Sequence, residues 1–406
     1  MNRALFSGLS GTVAFQSRLD VVGNNIANSN TVAYKQGRTI FQDALYETMR
    51  GGRSGSDTGL GGMNPVQIGS GVTLGSVTVQ QSQGSLERTG QPLDGAIEGP
   101  GMFLLSGGVG TFYSRDGSFA LDNNNTMVHA GTGYLVQGWM AVGGEVTATG
   151  PPDSLTFNIS QLTPPVPTAN AAVIGNLDAN SAEDAEVYTN VSVYDSLSEL
   201  HQLTISFTKT ANVGEWDVEV SCGADSATTT VTFDSEGALN GDESVTLDLN
   251  LTNGAITPQS VTMALGQMTS LAQPLSVAVQ SQDGRPASSL VSVELTDQGY
   301  VEGQYSDGRS ETLAQVALAS FANPGGLRRL GSNLFAEAPA AGIPAVGGAN
   351  TGGRGHVVGQ ALEMSNVDLT KAFVDMIITQ KGFQASTRVI ATATEMLDEV
   401  VRLIRS

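Results

Sequence analysis

Phe373-Val-Asp-Met-Ile-Ile-Thr-Gln-Lys-Gly-Phe383-Gln-Ala-Ser-Thr-Arg-Val-Ile390-Ala-Thr-Ala-Thr-Glu-Met-Leu397-Asp-Glu-Val-Val-Arg-Leu-Ile404 decides the architecture of this chain. Met376, Phe383, Ile390, Leu397 and Ile404 recur every seven residues. Ala393 and Val400 fill the positions between them, while Thr379 and Ser386 interrupt the stripe with polar groups. A seven-residue apolar repeat is the seam of a coiled-coil helix. Arg402 and Arg405 fall in its last turn, where positive charge suits the helix dipole. Ser365-Asn-Val-Asp368 reads as a capping box at its start. A helix from Asn366 to Arg405 is about 60 Å long, and no helical partner is adjacent in sequence.

The other helical stripe lies at the opposite end of the chain. Leu5, Gly8, Thr12, Phe15, Leu19, Val22 and Ile26 alternate at spacings of three and four. Gly8, Gly11 and Gly23 each cost a helix roughly 1 kcal/mol relative to Ala, so this segment is marginal alone. The two termini are therefore expected to lie side by side, with neighbouring subunits covering the remaining apolar edge. The simpler alternative is a helical pair confined to one chain.

Between the ends, periodicity switches from seven to two. Leu203, Ile205 and Phe207 alternate, Asn212-Val-Gly214 turns, and Trp216, Val218 and Val220 alternate again, which is a hairpin pattern. Val245, Leu247, Leu249 and Leu251 repeat it, as do Val291, Val293 and Leu295 before the turn at Asp297-Gln-Gly299. Short strands with regular turns point to sandwiches or small barrels. The expected fold class is α+β and mostly β, with long terminal helices pairing as a coiled coil around nested β-rich domains. The expected boundaries are 1–30 and 366–406 for a terminal helical domain and 31–80 for a connecting segment. Residues 81–150 and 280–365 are expected to form a β-rich domain, and 151–279 a second β-rich domain inserted into it. Pro151-Pro152, Pro164-Pro165, and the Gly-rich runs 51–62 and 338–355 punctuate this scheme.

Composition narrows the function. The 406 residues carry a net charge of −20, so nucleic acid is not an expected partner, because phosphate binding needs a basic face. Fifty glycines fit many turns. The single cysteine, Cys222, excludes an intramolecular disulfide. No apolar run of about 18 residues exists, so no membrane insertion is expected, and nothing at the N-terminus reads as a cleaved signal.

Catalytic patterns fail. There is no phosphate loop of the GxxxxGK[ST] type, and Gly131–Gly138 sits among strands and turns. His129, His201 and His356 have no second histidine at ligand spacing, and Cys222 has no Cys-x-x-Cys partner. Asp122-Asn-Asn-Asn125 reads as a tight turn, because it lacks the length and terminal Glu of a calcium loop. The pairs Glu183-Asp184 and Asp242-Glu243 read as solvated surface. No catalytic residue, cofactor site or metal site is assigned, and the chain is not expected to be an enzyme.

Leu19-Asp-Val-Val-Gly-Asn-Asn-Ile-Ala-Asn-Ser-Asn-Thr-Val-Ala-Tyr-Lys35 resembles the NNIANxNTxGYK signature of the bacterial flagellar rod and hook axial family. Ala33 stands where that family usually has Gly. Thr89–Phe103 resembles its TGxxxDxAIxGxGFF segment, and Tyr113-Ser-Arg-Asp-Gly-Ser-Phe119 its YTRxGxF segment. Gly133–Gly138 is similar to its GYxVxG run. Ser365-Asn-Val-Asp-Leu-Thr370 and Met376–Ala385 resemble its C-terminal blocks, with Lys381 in place of the usual Arg. Residues 151–279 match no family motif.

The resemblance implies a structural subunit of the flagellar hook, a flexible tubular polymer that joins the basal-body rod to the filament and transmits torque. The chain length, the β insertion and the segment Gln315–Phe335 favour the hook over the distal rod protein, which is the alternative within the family. A secreted β-rich adhesin or enzyme is the alternative outside it. The implied partners are further copies of this chain, the rod and hook-filament junction proteins, the hook cap and the flagellar export apparatus. The implied location is extracellular, in the flagellum. The subunit interface is expected at Leu5, Phe15, Leu19, Val22, Asn24, Asn25, Ile26 and Asn28. On the C-terminal helix it is expected at Met376, Phe383, Ile390, Leu397 and Ile404.

Overall fold

Alternation in the middle of the chain builds two sheets with one apolar face each. Glu186–Tyr194, Leu200–Lys209, Glu215–Cys222, Asp225–Phe233 and Leu239–Asn240 form an antiparallel meander of five strands. Ile205 pairs with Val220 and Phe207 with Val218, which is the hairpin that the period of two predicts. Ser244–Leu249, Gln259–Thr269, Asn170–Asn176 and Ser276–Gln282 form a second sheet, in which Asn170–Asn176 runs parallel to Gln259–Thr269. Val191, Leu203, Phe207, Trp216 and Val218 from the first sheet pack with Leu247, Val261 and Met263 from the second. The result is a β-sandwich with a closed core, in which Trp216 is fully buried. Its residues belong to a unit comprising Asn158–Ser292 and Gln304–Ser310.

The computed structural model describes residues 2–54, 61–108, 110–159, 161–240 and 244–405, without the side chains of Asn2, Ile404 and Arg405. Residues 55–60 of the Gly-rich run 51–62, and Asp242-Glu243, lie outside the described residues.

The other unit comprises Met1–Phe157, Val293–Gly303 and Glu311–Ser406. Its β body interleaves segments from both sides of the sandwich in sequence. Met102–Gly107 pairs with Gly110–Ser114 and Leu135–Met140, and also with Leu318–Ser320. Gly95–Glu98 pairs with His356–Gly359, and Leu86–Arg88 with Ala361–Glu363. Met102, Leu104, Tyr113, Trp139, Ala319 and Phe335 form one of its cores. Asp122 Oδ1 accepts from the Asn124 and Thr126 amides, which closes the tight turn read at Asp122–Asn125. One expectation shifts: Val291 is exposed rather than inward, because the alternation breaks at Val291-Ser292 and Leu290 takes the inner position.

Both ends of the chain are helices, α1 (Asn2–Ala27) and α2 (Leu369–Arg405). The cap of α2 is Asp368, whose Oδ1 accepts the Lys371 amide at 3.1 Å. Ser365 and Asn366 precede the helix, and the Asn366 amide nitrogen instead donates to Gln80 O and Ser82 O.

Candidate assembly surface of the terminal helices

α1 and α2 pack along the stripes that the sequence marks, in antiparallel directions. Gly8 lies against Ile390, Gly11 against Ser386, Phe15 against Gly382 and Arg18 against Asp375. Leu5, Phe15, Leu19 and Ile26 are half-buried on this seam and Val22 is buried. From α2, Met376, Phe383, Ile390 and Leu397 are half-buried, while Thr379 and Ala393 are fully or nearly enclosed. Ile404 lies beyond the described side chains. Buried Thr379 is tolerated because its hydroxyl donates to Asp375 O at 2.6 Å, inside its own helix.

The helical glycines have a packing reason. A Cβ on Gly8 would meet Ile390 Cγ1 at 2.9 Å, and one on Gly382 would meet the Phe15 ring at 2.6 Å. Close approach of the two backbones therefore requires their absence, and the propensity cost is offset by contact. Gly23 has nothing within 4 Å, and its cost has no such return.

The asparagines do something other than extend the seam. Asn25 is buried; its Nδ2 donates to Gly37 O at 2.8 Å and its Oδ1 accepts the Gly37 amide at 2.9 Å. That pair mimics a strand bridge and starts a hairpin, Gly37–Asp43 with Val72–Val79, against α1. Phe41 meets Phe15 edge to face at 5.8 Å, and the Val72 amide donates to Ser10 Oγ. Asn24 donates to Tyr34 Oη, and Asn28 Nδ2 closes the helix end on Asn24 O. The signature thus folds the exit of α1 back on itself. Ala33 completes that turn at φ 56°, the left-handed region that Gly occupies freely.

A buried ionic cluster then ties this turn to the β body. Lys35 Nζ lies 2.6 Å from Glu363 Oε1, and Arg115 Nη1 lies 3.4 Å from Glu363 Oε2. Both the Lys35 and Glu363 side chains are at 0% exposure. Lys35 also donates to Ser82 O, and Arg115 to Ile97 O and Gly99 O. The Gly84 amide donates to Glu363 Oε1. Burial pulls the Lys35 ammonium below its ordinary value, opposed by the charge and hydrogen bond of Glu363. Burial likewise lowers Arg115, again against Glu363. One carboxylate thus holds two buried cations from segments 80 residues apart in sequence and more. Arg329 stacks over Tyr34 at 5.4 Å, and Asn333 Nδ2 donates to Val32 O. Of these residues, Tyr34, Lys35 and Arg115 lie in quoted motifs, and Arg329 and Asn333 in the segment Gln315–Phe335; Glu363 carries no sequence signal of its own.

What the seam does not use is left outside. Phe6, Leu9 and Val13 on α1 are exposed, Phe6 at 64%. Phe373, Val374, Ile377 and Ile378 on α2 are exposed too, Ile377 at 57%. Leu5, Phe6, Leu9 and Ile390 line an apolar cavity of about 410 Å³. The hairpin adds Ile40, Leu74 and Val77, and the adjoining ribbon Tyr46–Arg50 with Val66–Gly69 adds Tyr46, Met49 and Ile68. Among the described residues, no helix is long and apolar enough to cross a membrane.

The polar candidates resolve into local networks. His129 sits between Asp116 and Thr132, His356 beside Glu98, and His201 beside Asp195. Among the described residues, Asp195, Glu199 and His201 are the one carboxylate–imidazole group close enough to share an ion. The Asn253 amide nitrogen bridges the two carboxylates, donating to Asp195 Oδ2 at 2.6 Å and Glu199 Oε2 at 2.5 Å. Its carbonyl is held by the Ala255 amide, which fixes its orientation. Burial raises Asp195, but the donors from Asn253, Glu199, His201 and Leu197 outweigh it and the carboxyl lies below its usual value. Cys222 is half-buried at a strand end, and burial together with Asp225 pushes its thiol up, which disfavours thiolate at neutral pH.

Comparison with known proteins places these pieces. Residues 5–35 match the Flagella basal body rod protein family, and 358–403 the Flagellar basal body rod FlgEFG protein C-terminal family. Residues 96–162 match the Flagellar hook protein FlgE/F/G D1 domain, and 158–285 the Flagellar basal body protein FlaE D2 domain. The inserted segment 151–279, in which no family motif is legible by eye, is thus for the most part a family domain too. The chain is 34% identical to the flagellar hook protein FlgE of Treponema pallidum (strain Nichols), with 100% of each chain covered. It is 29% identical to the flagellar basal-body rod protein FlgG of Bacillus subtilis (strain 168), again covering 100% of each. A crystal structure of Helicobacter pylori flagellar hook protein FlgE2 shares the fold, with a TM-score of 0.53 at 14% identity, over 67% of this chain and 99% of that one.

Proposed function

The chain belongs to the flagellar hook protein family and is a structural subunit of the hook, and from that premise we propose that α1, α2 and the hairpin beside them are its polymerisation element. One observation carries the proposal: large apolar side chains stand exposed along both helices and the hairpin of a single chain. Each contributes about 1.5–3 kcal/mol when a neighbouring copy buries it, against roughly 1–2 kcal/mol of backbone entropy per residue ordered. In the free subunit the helices are marginal, and they become fully ordered on assembly. The seam residues, from Leu5 to Ile26 and Met376 to Leu397, then act by building the pair. The outward residues, such as Phe6, Phe373 and Ile377, act by joining copies.

The family is a structural, non-enzymatic one, and this chain works in the hook as a self-assembling polymer. In our reading it forms a flexible tube outside the cell, seated on the rod and continued by the hook-filament junction proteins. It reaches that position through the flagellar export apparatus and assembles under the hook cap. The sandwich unit supplies the outer layer, and its polar surface permits sliding as the tube bends. The greater identity to a hook protein than to a rod protein favours the hook over the distal rod.

The test is electron microscopy of basal bodies from cells lacking the gene, complemented with a chain without residues 1–30 and 366–406. Complete rods without hooks are expected, with the truncated chain still folded and soluble. Hooks that return with the truncated chain would refute the role of the helices, and truncated rods would move the protein to the rod.

A further inference from the structure

The buried cluster of Lys35, Glu363 and Arg115 does not balance. One carboxylate faces two cations, and the shorter contact goes to Lys35, at 2.6 Å against 3.4 Å for Arg115. A buried charge in excess is costly and calls for an anion beside it. Burial chiefly, and the Arg115 charge as well, pull the Lys35 ammonium down against the hold of Glu363. Arg115 is also short of acceptors. Its Nη1 donates to Ile97 O and Glu363 Oε2, and its Nη2 to Gly99 O. The residue is 6% exposed, yet among the described residues its buried Nε has no acceptor. Arg115 also lines a cavity of about 290 Å³, near the lower limit of roughly 300 Å³ for small-molecule sites. The polar part of the wall comes from Arg115, Gln81 and Ser320, and an apolar part from Met102, Phe321 and Pro324. Gln81 Nε2 lies 3.5 Å from Pro324 O, at the limit of a hydrogen bond, so it is available to a better acceptor.

We propose that this cavity is a binding site for a monocarboxylate, one carboxylate carried on a short apolar body. The carboxylate accepts from Arg115 Nε and balances the single positive charge in excess. Its apolar body rests on Met102, Phe321 and Pro324. Phosphate fits less well, because its further charge finds no further cation and its oxygens lose water against an apolar wall. The carboxylate belongs either to a free small acid or to an Asp or Glu side chain of a second copy. The chemistry that recognises it is the same in both cases. The inference goes beyond the reading of the helices as the polymerisation element and does not depend on it.

The test titrates the full-length subunit, carrying isotope-labelled arginine, with sodium propionate. Sodium chloride at equal ionic strength and neutral propionamide are the controls. Propionate is expected to shift the Arg115 Nε–H resonance saturably. It should also raise the unfolding midpoint by roughly 2–4 °C at about ten times its dissociation constant. Ser320→Leu, which fills the cavity and leaves Arg115 in place, should abolish both responses. An Arg115 resonance that does not move, or that moves equally with propionamide, overturns the proposal. So does an undiminished response in folded Ser320→Leu; should that variant not fold, the titration of the unmodified chain decides alone. Polymerisation measured by sedimentation then separates the two sources. Saturating propionate raises the critical concentration several-fold if a neighbouring copy's side chain is the natural occupant, and leaves it unchanged if a free acid is. Failure of the chain to polymerise at all would strike the hook reading, while this site would still stand or fall on the Arg115 resonance.

Discussion

The sandwich and the helical pair are built from the same kinds of residue and end in opposite states. In the sandwich, Leu203, Ile205, Phe207, Trp216, Val218 and Val220 alternate with polar residues, and every one of them is inside. Two sheets close on each other, so one chain suffices. In the pair, two helices share a single seam, and a helix with apolar residues on more than that seam needs a third surface. Phe373, Ile377 and Ile378 are left exposed by the described residues. The difference teaches that self-sufficiency follows from the number of faces an element must cover, not from its apolar content.

The sharpest way to break this comparison is at the junction that holds the helices to their β body. Glu363→Ala leaves Lys35 and Arg115 as buried cations without their anion. It is expected to destabilise that unit by about 3–5 kcal/mol, near the upper end. Trp139 and Trp216 lie one in each unit, so denaturation followed with single-tryptophan variants should show the loss at Trp139 and none at Trp216. Equal loss at both would mean that the two units do not unfold independently.

A paired substitution comes next. Trp216→Ala empties a closed core and should cost about 3–5 kcal/mol in the free subunit. Phe373→Ala with Ile377→Ala removes as much apolar surface, but from exposed positions, and should cost the free subunit no more than about 0.5 kcal/mol for each. The second variant should nevertheless lose polymerisation in a sedimentation assay. A large stability loss in the unassembled helix variant would show that these faces are already covered within one chain.

Smallest is Ala33→Gly. The left-handed turn costs Ala about 1–2 kcal/mol, while Gly forfeits a buried methyl worth about 0.8 kcal/mol and gains freedom when unfolded. The expected change in thermal stability is within about 1 kcal/mol. A larger gain would mean that the turn is a source of strain in the helical region.

The parts that were legible in sequence share a property: a local period set by one partner surface. The heptad at Met376–Leu397 and the alternation at Leu203–Val220 each declare a face, and both faces are where the pattern puts them. Val291 departs from the alternation because a break in it has no local mark. Ser365 reads as a cap because a capping box is a four-residue pattern, whereas Asp368 alone performs the task. The Lys35–Glu363–Arg115 cluster was invisible for a different reason. Its members are spread across the chain, and each charged residue reads singly as solvated surface. Similarly, Asp195, Glu199, His201 and Asn253 meet only because the sandwich brings their turns together.

Arg18 meets Asp375 across 357 positions of chain, and Lys35 meets Glu363 across 328. Bringing such distant residues together is slow from an unfolded chain, because loop closure must precede any reward. Here the intervening sheets can close first and carry the ends toward each other. The pairing of α1 with α2 is therefore expected late in folding, and it needs the residues of α2, Leu369–Arg405, to have been made. A subunit cut short at its C-terminus would keep its sheets and lack its seam, so incomplete copies are excluded from the polymer without any separate inspection step.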